Sequence, residues 1–301
     1  MGLTSMVVKR SLDVFRKDGL RGLLDKRREY YLSYPPLRKS LYYWLYSKTR
    51  YHKEVVKRIN GFDMYLNLRD FGLSKQLWIN GYREPECFKH FSNMLHSDDV
   101  VLEIGANIGY YVLWEAVKAS KVYAFEPLPE NYDFLNRNIF LNNVENVMFF
   151  PWGVSDRKGS RSLFYDRFRN RANMFSGKYC VDVPCVTVDG FCEEYDVHPD
   201  VIRMDIEGFE WFVFKGMRDT LKGNVCRLFF EVHPSLLRVM GFDWKVLVYD
   251  LMGLGYRPVV VVKEFGPIRE ESFVCDGVDF IREGVIPEGY DHGFGLFMEK
   301  E

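Results

Sequence analysis

Val100-Val101-Leu102-Glu103-Ile104-Gly105-Ala106-Asn107-Ile108-Gly109 constrains the chain more than any other stretch. A short β-branched, apolar run bounded by glycine reads as a buried strand, and the apolar residues from Tyr110 to Val117 continue as a helix. The unit is a strand, a tight turn and a helix. Gly105 and Gly109 stand where such a turn needs a missing side chain, either for a backbone conformation closed to other residues or for close approach of a ligand across the helix start.

Two departures from a dinucleotide site narrow the ligand. A pyrophosphate-binding turn spaces its glycines G-x-G-x-x-G, and here Asn107 occupies the middle position. Glu103 places a carboxylate on the strand just before the turn, where it repels a pyrophosphate and attracts a cation. S-adenosylmethionine carries an ammonium and a sulfonium and no phosphate. The strand Val122-Tyr123-Ala124-Phe125-Glu126-Pro127 ends in an acid about twenty residues beyond Gly105, where a strand-end carboxylate can take both ribose hydroxyls. Against this stands a plainer reading, in which the glycines only make a βα turn and Glu103 and Glu126 are ordinary strand-end charges.

The chain has 301 residues, 47% of them hydrophobic, enough for one large α/β domain with additions. Its net charge of −1 hides an asymmetry. Residues 1–58 hold 15 Lys or Arg against 5 Asp or Glu, so the remainder is strongly acidic. Val8, Leu12, Phe15, Leu20, Leu23 and Leu24 fall near helical spacing among the basic residues, and Tyr42-Tyr43-Trp44-Leu45-Tyr46 follows. We read residues 1–58 as a basic, aromatic-rich helical extension, either a cap on the catalytic domain or a peripheral contact with an anionic membrane through residues 1–50. No apolar run is long enough to cross a bilayer, no signal peptide opens the chain, and the six cysteines form neither a C-x-x-C pair nor a zinc spacing. These features predict a cytoplasmic protein, possible contact with the inner membrane face included. Charge alone permits nucleic acid binding, but no nucleic-acid motif supports it.

Strands alternate with helices over residues 59–301, read as the cofactor-binding domain. Phe62 to Leu68 alternates as a half-exposed strand, and a helix runs from the Gly81–Glu86 stretch through Leu95 into the strand at Val100. Glu130 to Asn142 reads as a helix, Val147-Met148-Phe149-Phe150 as a strand, and Asp156 lies just beyond it. Residues 157–186 break the rhythm as an insertion near the substrate edge, with Arg161–Tyr165 and Val181–Val186 as a pair of strands around a polar, arginine-rich loop. Val201 to Gly208 and Arg227 to Pro234 read as the fourth and fifth strands, followed by helices over Phe209–Met217 and Ser235–Leu254, and Tyr256–Val262 and Gly295–Met298 close the sheet. The pattern is a doubly wound, mostly parallel sheet with its ligands at the carboxyl ends of the strands.

The run Glu103 to Gly109, the strand-end Glu126, Asp205-Ile206-Glu207-Gly208-Phe209-Glu210 and Glu231-Val232-His233 together resemble the FkbM-type family of S-adenosylmethionine-dependent methyltransferases over about residues 60–260. The resemblance implies a seven-stranded, Rossmann-like class I methyltransferase fold and methylation of a hydroxyl on a sugar, a lipid-linked glycan or a natural-product-like acceptor. It implies that Glu103, Gly105, Ala106, Asn107 and Gly109 hold the methionine and ribose part of the cofactor, that Glu126 takes the ribose hydroxyls, and that Asp156 lies near the adenine. Glu103 stands where Asp is more frequent.

A sugar-type hydroxyl is too weakly acidic to attack without losing its proton, so a base is needed. Side chains two apart on a strand share a face, which lets Asp205 converge with Glu207 and Glu231 with His233. His233 is the expected general base, oriented by Glu231 or Asp205. The same Asp205, Glu231 and His233 could instead hold Mg²⁺ or another divalent ion, or His233 could simply cap the following helix. The rivals to a methyltransferase are a nicotinamide-dependent oxidoreductase and a catalytically silent, cofactor-binding scaffold docked on a membrane.

Overall fold

The computed structural model describes residues 54–166, 172–174, 176–264, 272–283 and 293–300; the expected helical extension before residue 54, its membrane contact, and most of the arginine-rich loop lie outside them. The described chain opens on a hairpin. Strands β1 (Glu54–Ile59) and β2 (Phe62–Asn67) pair antiparallel with Ile59 opposite Phe62. Asn60 and Gly61, at φ 46° and 90°, supply the two left-handed residues that a tight hairpin turn requires. Glu54–Arg58, expected in the helical extension, are strand because Val55, Lys57 and Ile59 turn inward at period two. The outer edge of β2 is covered: Asn138 accepts from the Tyr65 amide, Asn142 accepts from that of Asp63, and both side chains donate back to β2 carbonyls.

Helices α1 (Leu73–Asn80) and α2 (Pro85–Met94) lead into β3 (Val100–Ile104), α3 (Tyr110–Lys118), β4 (Lys121–Phe125), α4 (Pro129–Leu141) and β5 (Val147–Phe150). The predicted insertion is a separate three-stranded sheet, in which β7 (Gly159–Tyr165) pairs antiparallel with β8 (Tyr179–Val186) and short β6 (Gly153–Val154) joins β8 in parallel. The main fold resumes with α5 (Val188–Tyr195), β9 (Val201–Met204), α6 (Glu210–Lys215), α7 (Arg218–Gly223), β10 (Arg227–Val232), α8 (Pro234–Val239) and α9 (Trp244–Gly253). It closes with β11 (Tyr256–Glu264), β12 (Ser272–Asp276), α10 (Gly277–Glu283) and β13 (Phe294–Lys300). The helix expected over Phe209–Met217 is α6, with α7 added beyond it, whereas the one expected over Ser235–Leu254 is two, broken at Gly241, with φ 79°, before Asp243 caps α9 by accepting from the Lys245 amide.

The main sheet runs β5-β4-β3-β9-β10-β13-β11-β12. Pairs from β5 to β10 are parallel, and β13 is antiparallel to both β10 and β11. Seven of these strands make the predicted sheet, and β12 adds an antiparallel edge. Successive residues of β3 enter opposite apolar layers, Val101 beneath one helical face with Val122 and Phe229, Leu102 beneath the other with Ile202 and Phe230. Burial on both faces is what makes these strands continuous apolar runs. From β3 the chain winds outward through β4 and β5, then returns to the other side at β9, so strand order reverses between β3 and β9. The crevice at a doubly wound sheet's carboxyl edge opens at such a reversal.

Candidate active site

At that reversal two chain segments touch backbone to backbone. Gly105 has φ 91°, and a Cβ there would overlap the carbonyl oxygen of Asp205 just past β9. The amides of Gly105 and Ala106 both donate to the Phe125 carbonyl at 3.0 Å, fastening the turn to the end of β4. Asn107 takes φ 52°, so an asparagine supplies the left-handed conformation that a second glycine supplies in a dinucleotide turn. Glu126 fixes this geometry: one carboxylate oxygen accepts from the Asn107 amide and the other from that of Leu128, each at 2.8 Å.

The turn borders a solvent-open cavity of about 580 Å³, into which Gly105, Asn107, Glu126, Asp205 and Glu207 face. Burial pushes Glu126 up to about 7 against the pull of its backbone donors. Asp205 Oδ1 is buried without a hydrogen-bond partner, a polar atom left for a ligand. The β7–β8 hairpin supplies the opposite wall through Leu163, Ala172, Asn173 and Met174, so the described part of the insertion faces the glycine turn itself. Four expected residues sit elsewhere. Ala106 is buried behind the turn, and Gly109 starts α3 against Leu135. Asp156 is taken by Arg161 and Ser155 outside the cavity. Glu103 is fully buried in an ion pair with Arg203, its opposite number on β9, and does not reach the cavity, so a direct contact with a cationic ligand is not available to it.

Beside the cavity the ends of β9 and β10 bring together the other predicted residues. Donor atoms of Asp205, Glu231 and His233 all lie within 4.8 Å of one another. His233 is buried and stands at the N-cap of α8 without a capping hydrogen bond. Its Nδ1 bonds Glu210 Oε1 at 2.8 Å, and its Nε2 faces Glu207 at 3.6 Å and Glu231 at 3.8 Å. The orienting partner is therefore Glu210, rather than Glu231 or Asp205. Fully buried Glu210 also accepts from the Gly208 amide, which locks the histidine ring and sends Nε2 toward the acids. Desolvation pulls His233 down, but the charges of Glu210, Glu231 and Glu207 outweigh it and hold the imidazole well above its ordinary value. Burial and Asp205 push Glu231 up to about 8. Glu207 holds φ 51°, a strained conformation of the kind that gathers at functional sites.

Arg83, absent from the sequence-based expectations, reaches the cluster from the loop before α2. Its Nη2 lies 3.8 Å from Asp205 Oδ2, and its Nε donates to Glu84 at 2.6 Å. Tyr110 on α3 grips the loop by accepting from the Arg83 amide and donating to its carbonyl.

The family profile described as the methyltransferase FkbM domain matches residues 103–253, half of the chain and the span that contains the turn, Glu126, Asp205–Glu210 and His233. The chain belongs to the FkbM methyltransferase family. A protein of Haloferax volcanii named hexuronic acid methyltransferase AglP is 30% identical over 64% of this methyltransferase and 80% of its own length. Methyltransferase sdnD of Sordaria araneosa is 29% identical over 41% of the chain and 62% of its own. The crystal structure of methyltransferase FkbM from Methylobacillus flagellatus overlays 75% of this chain and 54% of its own with a TM-score of 0.43 and 15% identity. Among the described residues no helix is long and apolar enough to cross a membrane.

The methyltransferase spends its Glu103 on structure. Arg203 pairs with it and lies 3.5 Å over the ring of Tyr111, while Glu115 of α3 is fully buried against Glu103. Burial and the charge of Glu103 hold Glu115 well above the carboxylate range. Glu115 therefore keeps its proton in the fold and loses it in the unfolded chain, so stability falls as pH rises from the unfolded value toward the folded one. Glu115→Gln, which carries no titrating group, is expected to flatten the decline in melting temperature as pH rises above the usual carboxylate range in calorimetric scans; an unchanged slope would assign the decline to other groups.

Proposed function

We propose that this methyltransferase transfers the methyl group of S-adenosylmethionine to a hydroxyl of a sugar or similarly hydroxyl-rich acceptor, with His233 as the general base. The observation that carries the reading is the Glu210–His233 pair, which turns Nε2 toward Glu231 and toward Glu207 in the wall of the cofactor cavity. The AglP relative, whose name gives a hexuronic acid as its substrate, supports a saccharide.

The cavity fits the cofactor by its chemistry. It has a turn with no side chain at Gly105, a buried carboxylate at Glu126 with lone pairs beyond its two backbone donors, and Asp205 Oδ1 without a partner. In this reading Glu126 takes the ribose hydroxyls, Gly105 and Asn107 admit the methionine end, and Asp205 and Glu207 offset positive charge. Bound S-adenosylmethionine supplies an electrophilic methyl on a sulfonium, for which much of the catalysis is alignment. Glu210 orients His233, and His233 takes the acceptor's proton at Nε2.

A second reading has Asp205, Glu231 and His233 bind a divalent ion, favoured by the spacing of their donor atoms. It excludes the first, because a metal at Nε2 leaves no lone pair for a proton. Turnover abolished by a chelator and restored by Mg²⁺ is its signature.

Calorimetric titration with S-adenosylhomocysteine beside NAD, on the wild type and on Glu126→Ala, tests the cofactor assignment. Hydrogen bonds to a charged group contribute about 1.5–3 kcal/mol each, so the variant is expected to bind S-adenosylhomocysteine at least about tenfold more weakly, with no NAD binding by either. Equal affinity in the two proteins would remove Glu126 from the site, and NAD binding would return the oxidoreductase reading.

A further inference from the structure

A second cavity, of about 380 Å³, opens on the far side of Glu231 from the cofactor turn. Glu84, Cys87, Glu231, Lys263, Gly293 and Gly295 line it, above Phe229. Its space comes from two missing side chains, at Gly293 just before β13 and at Gly295 within it. A Cβ at Gly293 would stand 2.8 Å from Glu231 Oε1 and 3.3 Å from His233 Cδ2, and one at Gly295 would stand 2.9 Å from the Phe229 ring. Lys263 donates to the Gly293 carbonyl, and burial pulls its amine below the usual lysine range while Glu231 and Glu84 oppose that pull.

The polar lining carries both signs, the Glu84 and Glu231 carboxyls as acceptors and the Lys263 amine as a donor, while Arg203 is committed to Glu103. Such a set complements a ligand that offers several donors and acceptors without net charge, as adjacent hydroxyls do. Glu84, Cys87, Lys263 and both glycines fall outside the residues that match the family profile, which end at 253 and begin at 103. The cofactor half of the site is common family ground, and this half belongs to the flanks.

We propose that the second cavity is the subsite that anchors a hydroxyl-rich acceptor, with Lys263 and Glu84 holding ring hydroxyls so that a neighbouring one meets His233. This rests on the methyl-transfer reading above.

Saturation-transfer NMR on protein saturated with S-adenosylhomocysteine, with D-glucose and D-glucuronic acid as probes, tests it in the wild type, Lys263→Met and Glu84→Gln. The expected result is saccharide binding by the wild type that weakens at least tenfold in Lys263→Met and falls in Glu84→Gln, while S-adenosylhomocysteine affinity stays within twofold. Failure of the loaded wild type to bind either sugar, or equal binding by wild type and both variants, would overturn the subsite and leave the cofactor assignment standing. A wild type that does not bind S-adenosylhomocysteine would overturn both.

Discussion

Gly105→Ala is expected to bind S-adenosylhomocysteine at least a hundredfold more weakly than the wild type and to melt at a lower temperature. At φ 91° a side chain is strained whatever surrounds it, at about 1–3 kcal/mol. Here the new methyl also meets the backbone oxygen of Asp205, which cannot rotate away. Either the turn or the end of β9 must move, and both line the cofactor cavity. A shift of the turn would also break the bond from the Asn107 amide to Glu126. Titration calorimetry and a melting scan read the two effects, and affinity within threefold of the wild type would show that the contact of turn and strand end does not shape the cavity.

His233→Ala is expected to lower kcat by about 10²- to 10⁴-fold, the usual contribution of a positioned base, with S-adenosylhomocysteine affinity retained. The surrounding carboxylates hold His233 well above the ordinary imidazole value of 6.5, and only its neutral form can accept a proton. The acidic limb of the pH–rate profile should therefore lie above pH 6.5. Positive charge placed beside Asp205 and Glu207 opposes the carboxylates and lowers that limb. Glu210→Gln removes the nearest anion while keeping a hydrogen-bonding group, so the limb should move toward lower pH, a change that a purely structural role for Glu210 would not produce. Unchanged turnover in His233→Ala would take it out of the mechanism.

The glycine turn, the strand-end acid and the adjacency of β9 and β10 were legible in the sequence because each is local or follows from winding order. The hairpin within residues 157–186 was legible too. Asn60-Gly61 carried an equally strong turn signal, but basic residues around it directed the reading toward a helix and β1 was missed. Other features depend on register. Arg203 meets Glu103 because those residues lie directly opposite on neighbouring strands, a pairing set by the sheet and not by either segment. Arg161 claims Asp156 only because the chain folds back after β6. Glu210 stood in the Asp205–Glu210 motif, yet only the turn through Glu207 and Gly208, both at positive φ, swings it under His233. Arg83 came from a loop with no motif of its own.

Asn138 joins two parts of the molecule that strand order keeps apart. Its amide nitrogen donates to the Ile108 carbonyl in the glycine turn, while its oxygen accepts from Tyr65 on the hairpin. A lone two-stranded ribbon is marginal in water, so the hairpin takes part of its order from the turn, through this side-chain amide and through the apolar cluster that Ile59, Met64 and Leu66 share with Ile108. Whatever stiffens the turn also quiets the ribbon, and amide protons more than forty residues upstream in the chain become reporters of events at Asn107.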